Sequence, residues 1–291
     1  MAPRVDAAKK GPPMAEGCQE RPASPLDGAS EAVSEDASWA DVARTFRTCI
    51  GSLPQPWEDI FGPLRHGAAD DLMVVGQCGQ SIDARIATPT GHSHYINGTA
   101  GLAHLHRLRA LMDAVVIGVG TAIADDPQLT VRRVEGPSPV RVILDPNGRL
   151  PPTARVLAQD GIRRIVMTKE GTATRLPPDI EIAALPAPDG GLAPETILSA
   201  LAARGICRIL VEGGADTVSR FVAAGRLDRL HVMIAPIILG SGPSSLNLPP
   251  IKLVDEAMRV PMRAHVLGDE VLLDCDLSAQ RIAVGRAKMS T

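Results

Sequence analysis

A glutamate followed by two glycines, at residues 212–214, is the part of this sequence best placed to do chemistry. The apolar run Ile209–Val211 predicts the end of a buried strand, and apolar residues on one helical face predict a helix that starts after Gly214. Glycines let a ligand approach the backbone closely, and free N–H groups at a helix start favour phosphate. An acid at the carboxyl end of a strand lies where open α/β sheets bind ligands. Taken alone, the segment fits a plain strand-to-helix turn equally well.

Other predicted strands also end in small or polar residues, and strand ends that share one edge of a sheet form a cleft. These ends are Gly79-Gln80-Ser81 with Asp83, Gly118 to Thr121, Asp145, and Thr168-Lys169. Three arginines, Arg85, Arg109 and Arg132, fall near them. Arginine suits bidentate phosphate binding, although a single arginine is more often a solvated surface charge. Lys169 offers a similar choice between a phosphate contact and an ordinary surface lysine.

The elements that must position these residues alternate between strand and helix, which predicts an α/β fold with a mixed sheet. Strands are predicted at residues 72–76, 114–120, 140–144, 164–168, 180–185, 206–211, 229–235 and 271–277, and helices at 103–111, 194–204 and from 214 to about 224. We predict no helix between the last two strands.

The sequence before this alternating body divides into two parts. Residues 1–36 are rich in Pro, Gly, Ala, Ser and Glu without apolar periodicity, and we expect them to be disordered. Residues 37–50 place Trp39, Val42, Phe46 and Ile50 on one helical face, which predicts a helix that packs on the body or on a partner subunit. Prolines and glycines between Pro54 and Pro63 indicate a linker. The predicted organisation is a tail at 1–36, a helical extension and linker at 37–69, a catalytic body at 70–280 and a C-terminal tail at 281–291.

Composition excludes several classes of function. The 291 residues are 45% hydrophobic and 22% charged with a net charge of −3, which is typical of a globular protein and argues against general binding to nucleic acid or membrane surfaces. The five cysteines are scattered, which indicates free thiols in a reducing compartment, and we expect a cytoplasmic protein.

Four histidines crowd between residues 92 and 106: His92, His94, His104 and His106. A zinc site needs further ligands at regular spacing, and none stands out. We therefore expect no bound metal and predict that these histidines lie in solvated loops and on a helix surface.

Several motifs, in conserved order and spacing over residues 70–277, resemble the riboflavin-biosynthesis pyrimidine reductases. They are SIDARIA at 81–87, SHYI at 93–96, HRLRA at 106–110, GVGT at 118–121, ADDPQLTVR at 124–132 and VEGG at 211–214. The resemblance implies a dihydrofolate-reductase-like three-layer α/β fold with a central mixed, mostly parallel sheet, and commonly a homodimer. It also implies NADPH-dependent reduction of the ribosyl group of a ribosylaminopyrimidine 5′-phosphate to ribityl.

The resemblance assigns roles to individual residues. The residues implied in cofactor binding are Gly79, Tyr95, Thr121, Asp125, Gly214, Ala215, Asp216, Thr217, Val218, Ser219 and Arg220, and those implied in substrate binding are Ser93, Arg109, Leu129, Arg132, Glu212 and, near the pyrimidine, Arg85. Asp83 and Glu212 are candidate proton donors in catalysis, with water an equal alternative. Tyr95 stands where the family usually has tryptophan, and offers a flat face to a ring.

Two departures from the family pattern leave alternatives open. Ala84 replaces the usual glycine, which puts the local turn in question. The chain also lacks the His-x-Glu and Pro-Cys-x-x-Cys motifs of the zinc deaminase that precedes the bacterial reductases, so we expect no deamination. The alternatives are a reductase of the same fold acting on another pterin-like or specialised substrate, or a non-catalytic nucleotide-binding partner of a deaminase.

Overall fold

The computed structural model describes residues 35–93 and 96–285. The predicted N-terminal tail therefore lies almost wholly outside the described residues, as do Tyr95 and the last residues of the predicted C-terminal tail. The strands are β1 (Met73–Ser81), β2 (Ala114–Gly118), β3 (Val140–Leu144), β4 (Arg164–Lys169), β5 (Glu181–Leu185), β6 (Arg208–Val211), β7 (Arg229–Ala235), β8 (Met262–Leu267) and β9 (Glu270–Asp276). The helices are α1 (Glu35–Thr48), α2 (Trp57–Phe61), α3 (Thr99–Leu111), α4 (Val119–Asp125), α5 (Pro194–Ala202) and α6 (Ala215–Ala223).

The nine strands form one sheet in the order β5-β4-β3-β2-β6-β1-β7-β9-β8. Every neighbouring pair from β5 to β7 is parallel, while β9 runs antiparallel to both β7 and β8. The predicted mixed, mostly parallel sheet is therefore confirmed. None of the described helices has the length and apolar character needed to cross a membrane.

Successive side chains along each strand point to opposite faces of the sheet and pack in two cores, one on each face. On β6, Leu210 packs into the first core, whereas Ile209 and Val211 pack into the second. Apolar residues of α1, α2 and α3 complete the first core, and those of α5 and α6 complete the second. The sheet is thus covered on both faces, and its strand ends remain the place where a cleft can form.

The segment that we predicted to be a linker contributes to the first core. It contains α2, whose Trp57 and Phe61 are buried. Trp39 of α1 meets both rings edge-on, with ring centroids 5.7 Å apart in each case. The guanidinium of Arg107 on α3 lies 4.5 Å from the centre of the Trp57 ring. The prolines and glycine of this stretch therefore bound a short helix rather than a loose connection, and α1 packs against the body.

Strand β8 was not predicted from the sequence, and it forms one edge of the sheet. Met262 and Val266 on this strand are exposed, and Arg263 and His265 alternate with them. A strand with solvent on most of its surface lacks the apolar run by which a buried strand is recognised. Within the part of the chain that the structure describes, β8 is therefore an edge strand with exposed apolar side chains.

Candidate active site

A cleft of about 770 Å³ opens at the carboxyl ends of the parallel strands. Residues at the ends of β1, β2, β3 and β6 form its wall, as expected for an open α/β sheet. Of the residues implicated by the sequence, those on the wall are Gly79, Ser93, Arg109, Thr121, Asp125, Leu129, Glu212, Gly214, Ala215, Asp216, Thr217 and Arg220.

A buried ion pair joins two of these residues across 103 positions of sequence. Helix α3 carries Arg109, and Glu212 follows directly after β6, where its backbone N–H donates to Val116 O at 2.9 Å. Arg109 Nε donates to Glu212 Oε1 at 2.8 Å and Nη2 donates to Oε2 at 2.7 Å. The two side chains are 7% and 6% exposed. Such a bidentate, desolvated pair fixes both side chains at the wall of the cleft.

The glycine pair after Glu212 makes a tight turn into α6. Gly213 has φ +108°, a conformation that a residue with a Cβ rarely adopts. The N–H of Gly214 donates to Thr121 Oγ1 at 2.9 Å, which ties this turn to the first turn of α4. The N-cap residue of α6 is Gly214, which has no side chain to cap the helix, so backbone N–H groups of the first turn can bind a ligand. This cradle fits a phosphate or pyrophosphate group.

The loop after α4 shapes the neighbouring part of the cleft. Asp126 and Leu129 both have positive φ, +39° and +56°, and Leu129 is only 2% exposed. Ser93 Oγ donates to Asp125 Oδ1 at 3.4 Å. Arg109 Nη1 reaches the carbonyl of Thr130 at 3.4 Å. The loop therefore holds an apolar side chain beside the ion pair.

Two histidines that we predicted to be solvated are buried, and for them that prediction is wrong. His104 stacks on Phe61, and its Nε2 lies 3.0 Å from His231 Nδ1. His106 Nδ1 accepts the backbone N–H of Arg132 at 2.9 Å. Burial, together with the charge of Arg109, lowers the pKa of His106 to about 4, so this side chain is neutral near pH 7. Among the described residues no group of His, Cys, Asp or Glu is arranged to hold a metal ion.

The segment at residues 81–85 forms a turn beside the cleft rather than part of its wall. The Asp83 carboxylate accepts the hydroxyl of Ser81 at 2.7 Å and the backbone N–H groups of Leu239 and Gly240 at 3.0 and 2.8 Å. These hydrogen bonds, led by the one from Leu239, lower the pKa of Asp83 to about 2. Ala84 takes the left-handed conformation, with φ +60°. Alanine thus adopts a conformation that ordinarily favours glycine.

Other residues implicated by the sequence also lie off the wall that the described residues form. Arg85 Nη1 donates to Gly242 O at 3.0 Å and to Ser244 Oγ at 3.1 Å. Arg132 is exposed on the loop that follows Leu129, with a hydrogen bond to Gln128. The side chain of Val218 is fully buried in the second core, and Ser219 Oγ accepts the N–H of Asn247 at 2.7 Å. Val218 and Ser219 lie on the side of helix α6 that faces away from the cleft.

The structure adds residues to the wall that sequence reasoning passed over, notably Asn147 and Arg149. Both follow β3 in a turn that Asp145 holds closed, because its Oδ2 accepts the backbone N–H of Leu150 at 2.8 Å. Their position just after a strand end was the available signal. Lys169, which we considered as a possible phosphate contact, does not line the wall.

Comparisons with known proteins identify relatives of this chain. A 2,5-diamino-6-ribosylamino-4(3H)-pyrimidinone 5′-phosphate reductase of Methanothermobacter thermautotrophicus is 32% identical over 213 residues, which cover 69% of this chain and 96% of the relative. The riboflavin biosynthesis protein RibD of Aquifex aeolicus is 36% identical over 67% of this chain and 54% of its own length. The chain thus spans about half of that longer relative.

A solved structure supports the fold. The deaminase/5-amino-6-(5-phosphoribosylamino)uracil reductase of Thermotoga maritima superposes with a TM-score of 0.63 at 30% identity, over 70% of this chain and 56% of that one. The expected α/β architecture with a central mixed, mostly parallel sheet is confirmed. The model of the RibD C-terminal domain matches residues 73–265. This chain therefore belongs to the RibD C-terminal domain family.

Proposed function

We propose that this chain is an NADPH-dependent reductase that converts the ribosyl group of a ribosylaminopyrimidine 5′-phosphate to ribityl in riboflavin biosynthesis. The observation that carries the proposal is the buried Arg109–Glu212 pair, which stands on the cleft wall directly before the Gly213–Gly214 turn. The end of β6 thereby places a fixed ion pair next to the glycine turn that could bind a phosphate group. The names of the relatives support the same reaction.

The residues of the cleft suit a nicotinamide dinucleotide. When bound, that cofactor supplies the hydride, and the protein binds, orients and excludes water. The Gly213–Gly214 turn and the first turn of α6 would hold the pyrophosphate, with Thr121 fixing the turn. Gly79 would contribute to the cofactor side of the wall, and glycine is required there because a Cβ would overlap Asn97 Oδ1. Asp125, Ala215, Asp216, Thr217 and Arg220 would complete the cofactor side.

The ion pair would hold the substrate. Each oxygen of Glu212 bonds to Arg109 and keeps a second lone pair, which suits an amino or hydroxyl group of the ligand. Ser93 and Leu129 flank this position on the wall. Arg132 and Arg85 lie outside the wall, and binding the phosphate or the ring would require their long side chains to reorient.

We propose that water, rather than a carboxyl side chain, supplies the proton that completes the reduction. Asp83 is held as a carboxylate by the Ser81 hydroxyl and two backbone N–H groups, and its pKa lies at about 2. At neutral pH it has no proton to donate. In this proposal Asp83 positions the turn at residues 81–85, and Glu212 positions the substrate.

The exposed edge strand β8 suits a homodimer in which two copies pair along this edge. No strand of residues 35–93 or 96–285 pairs with its outer side, and Met262 and Val266 are 58% and 77% exposed. Pairing with a second copy would satisfy the edge and bury both side chains. A cytoplasmic location is part of the same proposal, since the four cysteines among the described residues are free thiols.

The test is an anaerobic assay that follows NADPH absorbance with the diamino and the deaminated ribosylaminopyrimidine 5′-phosphates side by side. We expect turnover of one or both, and its loss in Glu212→Ala and Arg132→Ala. Arg163→Ala is the matched control, because it removes a partly exposed charge just before the amino end of β4, whereas the cleft lies at the carboxyl ends of the strands. Tight NADPH binding without turnover of either compound would favour a different substrate or a non-catalytic role.

A further inference from the structure

We propose that the N-terminal extension at residues 37–69, which contains α2 and most of α1, positions the substrate side of the cleft. In this proposal Trp39 and Arg47 are positioning residues, which act by holding helix α3 and the loop at residues 129–136. The role rests on the proposed function and deepens it, because it concerns the placement of Arg109. Neither Trp39 nor Arg47 lies on the cleft wall that the described residues form.

Helix α3 is packed between the extension and the cleft. Leu105 and Arg109 line the cleft, and at about 3.6 residues per turn they lie on one side of the helix. His104 and Arg107 lie on the opposite side. The His104 ring stacks on Phe61 with ring centroids 5.6 Å apart, and the Arg107 guanidinium lies over two tryptophan rings of the extension. Packing against the extension therefore sets how far Arg109 projects into the cleft.

The extension also binds the carboxyl end of α3. The last turn of a helix leaves carbonyl groups without a partner inside the helix. In α3 the carbonyl of Ala110, directly after Arg109, accepts Arg47 Nη2 at 2.7 Å across 63 positions of sequence. A cation at this end also interacts favourably with the helix dipole. Loss of the Arg47 side chain would remove this donor and loosen the turn that carries Arg109.

The loop at residues 129–136 is fixed between α1 and α3. Trp39 Nε1 donates to Glu135 O at 2.8 Å across 96 positions of sequence. The next residue, Gly136, packs directly on α3, since a Cβ there would lie 2.7 Å from a side-chain carbon of that helix. Nearer the cleft, the backbone N–H of Arg132 donates to His106 Nδ1 at 2.9 Å. Trp39 thereby holds the far end of the loop that carries Arg132.

The glycine turn on the cofactor side depends on different packing. The Gly214 N–H donates to Thr121 Oγ1, and α6, which follows the turn, packs in the second core. The aromatic residues of the extension belong to the first core, on the other face of the sheet. A change in the extension should therefore affect substrate binding more than cofactor binding.

Steady-state kinetics on the full chain separate these two effects. The variants are Trp39→Phe, which keeps an aromatic ring and removes the Nε1 donor, Arg47→Ala, and Arg47→Lys, which keeps a donor. The measured quantities are kcat, KM for the ribosylaminopyrimidine phosphate that the wild type turns over, and the dissociation constant of NADPH from its fluorescence. Arg44→Ala, which removes a charge from the exposed side of α1, is the matched control.

We expect Trp39→Phe and Arg47→Ala each to raise KM by about 3-fold to 10-fold, the usual effect of losing one hydrogen bond. The physical reason is that a smaller fraction of the molecules would hold the arrangement that binds substrate. The NADPH dissociation constant should stay within about twofold. Arg47→Lys should recover most of the loss, and Arg44→Ala should change none of these quantities. Arg47 is exposed, so its variants should fold normally.

Hydrogen exchange followed by mass spectrometry gives a second measurement that needs no substrate. Backbone amides at residues 108–112 and 131–136 should exchange faster in Trp39→Phe and Arg47→Ala than in the wild type. Amides at residues 213–218, in the glycine turn and the start of α6, should exchange at the wild-type rate.

An unchanged KM in both variants, or a parallel rise in KM and in the NADPH dissociation constant, would overturn the positioning role and leave the proposed reductase intact. Unchanged exchange at residues 108–112 and 131–136 would overturn it as well. A wild-type chain that turns over neither pyrimidine compound would instead contradict the proposed function, and the role toward the substrate would fail with it.

Discussion

The Arg109–Glu212 pair should couple strongly in a double-mutant cycle. Both side chains are more than nine-tenths buried and share two charge-assisted hydrogen bonds of 2.8 and 2.7 Å. Removing one partner of a buried pair leaves an uncompensated charge and typically costs about 3–5 kcal/mol. We therefore expect Glu212→Gln and Arg109→Gln each to lower the free energy of unfolding by about 3 kcal/mol or more. In a chain of this size that corresponds to a fall in Tm of about 6–20 °C.

The cycle is measured by urea unfolding of the wild type, the two single variants and the double variant. The double variant should lose less than the sum of the single losses, with a coupling of about 2–3 kcal/mol. The exposed pair Arg44–Asp41 on α1 is the control, and its own cycle should give about 0.3–0.5 kcal/mol. A coupling for the buried pair as small as that of the control would refute the reasoning that the pair is a fixed element of the cleft wall.

Three further substitutions probe the surrounding structure. Ala84→Gly should raise the free energy of unfolding by up to about 1 kcal/mol, since the left-handed conformation at φ +60° strains alanine; a loss of stability in urea would contradict the strained turn. Asp83→Asn should destabilise at pH 7. Because the folded-state pKa of Asp83 is depressed from 3.8 to about 2, that deficit should shrink as pH falls from about 4 toward 2, and a pH-independent deficit would exclude a charge effect. Val266→Lys on the β8 edge should yield monomers in sedimentation, and an unchanged dimer would place the interface elsewhere.

The sequence predicts the strand, turn and helix at residues 206–224 well because local signals agree there. Ile209–Val211 is an apolar run, the glycine pair ends it, and apolar residues such as Phe221 then recur at helical spacing. Strands β3 and β7 are predicted with the bounds that the structure shows, because each is a short, mostly apolar stretch that ends at turn residues. The bounds of a buried strand or helix can therefore be predicted from a single sequence when turn residues flank it on both sides.

The failures have physical causes as well. Helix α2 is only five residues long and lies between prolines, so the local composition predicts a linker. Trp57 is buried by tertiary packing, which a local pattern does not show. Strand β8 is exposed and lacks an apolar run. The burial of His104 depends on Phe61 and His231, which lie far away in sequence. The Arg109–Glu212 pair also joins distant residues, so the resemblance placed both in the site but gave no indication that they bind each other.

Hydride transfer into the substrate is the most direct test of the central claim. The chain is incubated anaerobically with NADPH deuterated at the reactive C4 position and with the diamino or deaminated ribosylaminopyrimidine 5′-phosphate. Each C4 epimer is used in turn, and the product is analysed by mass spectrometry. If the proposal is right, one epimer delivers deuterium to C1′ of a ribityl product, and Glu212→Ala abolishes the transfer. Unlabelled product from both epimers, or tightly bound cofactor with no ribityl product from either substrate, would contradict it.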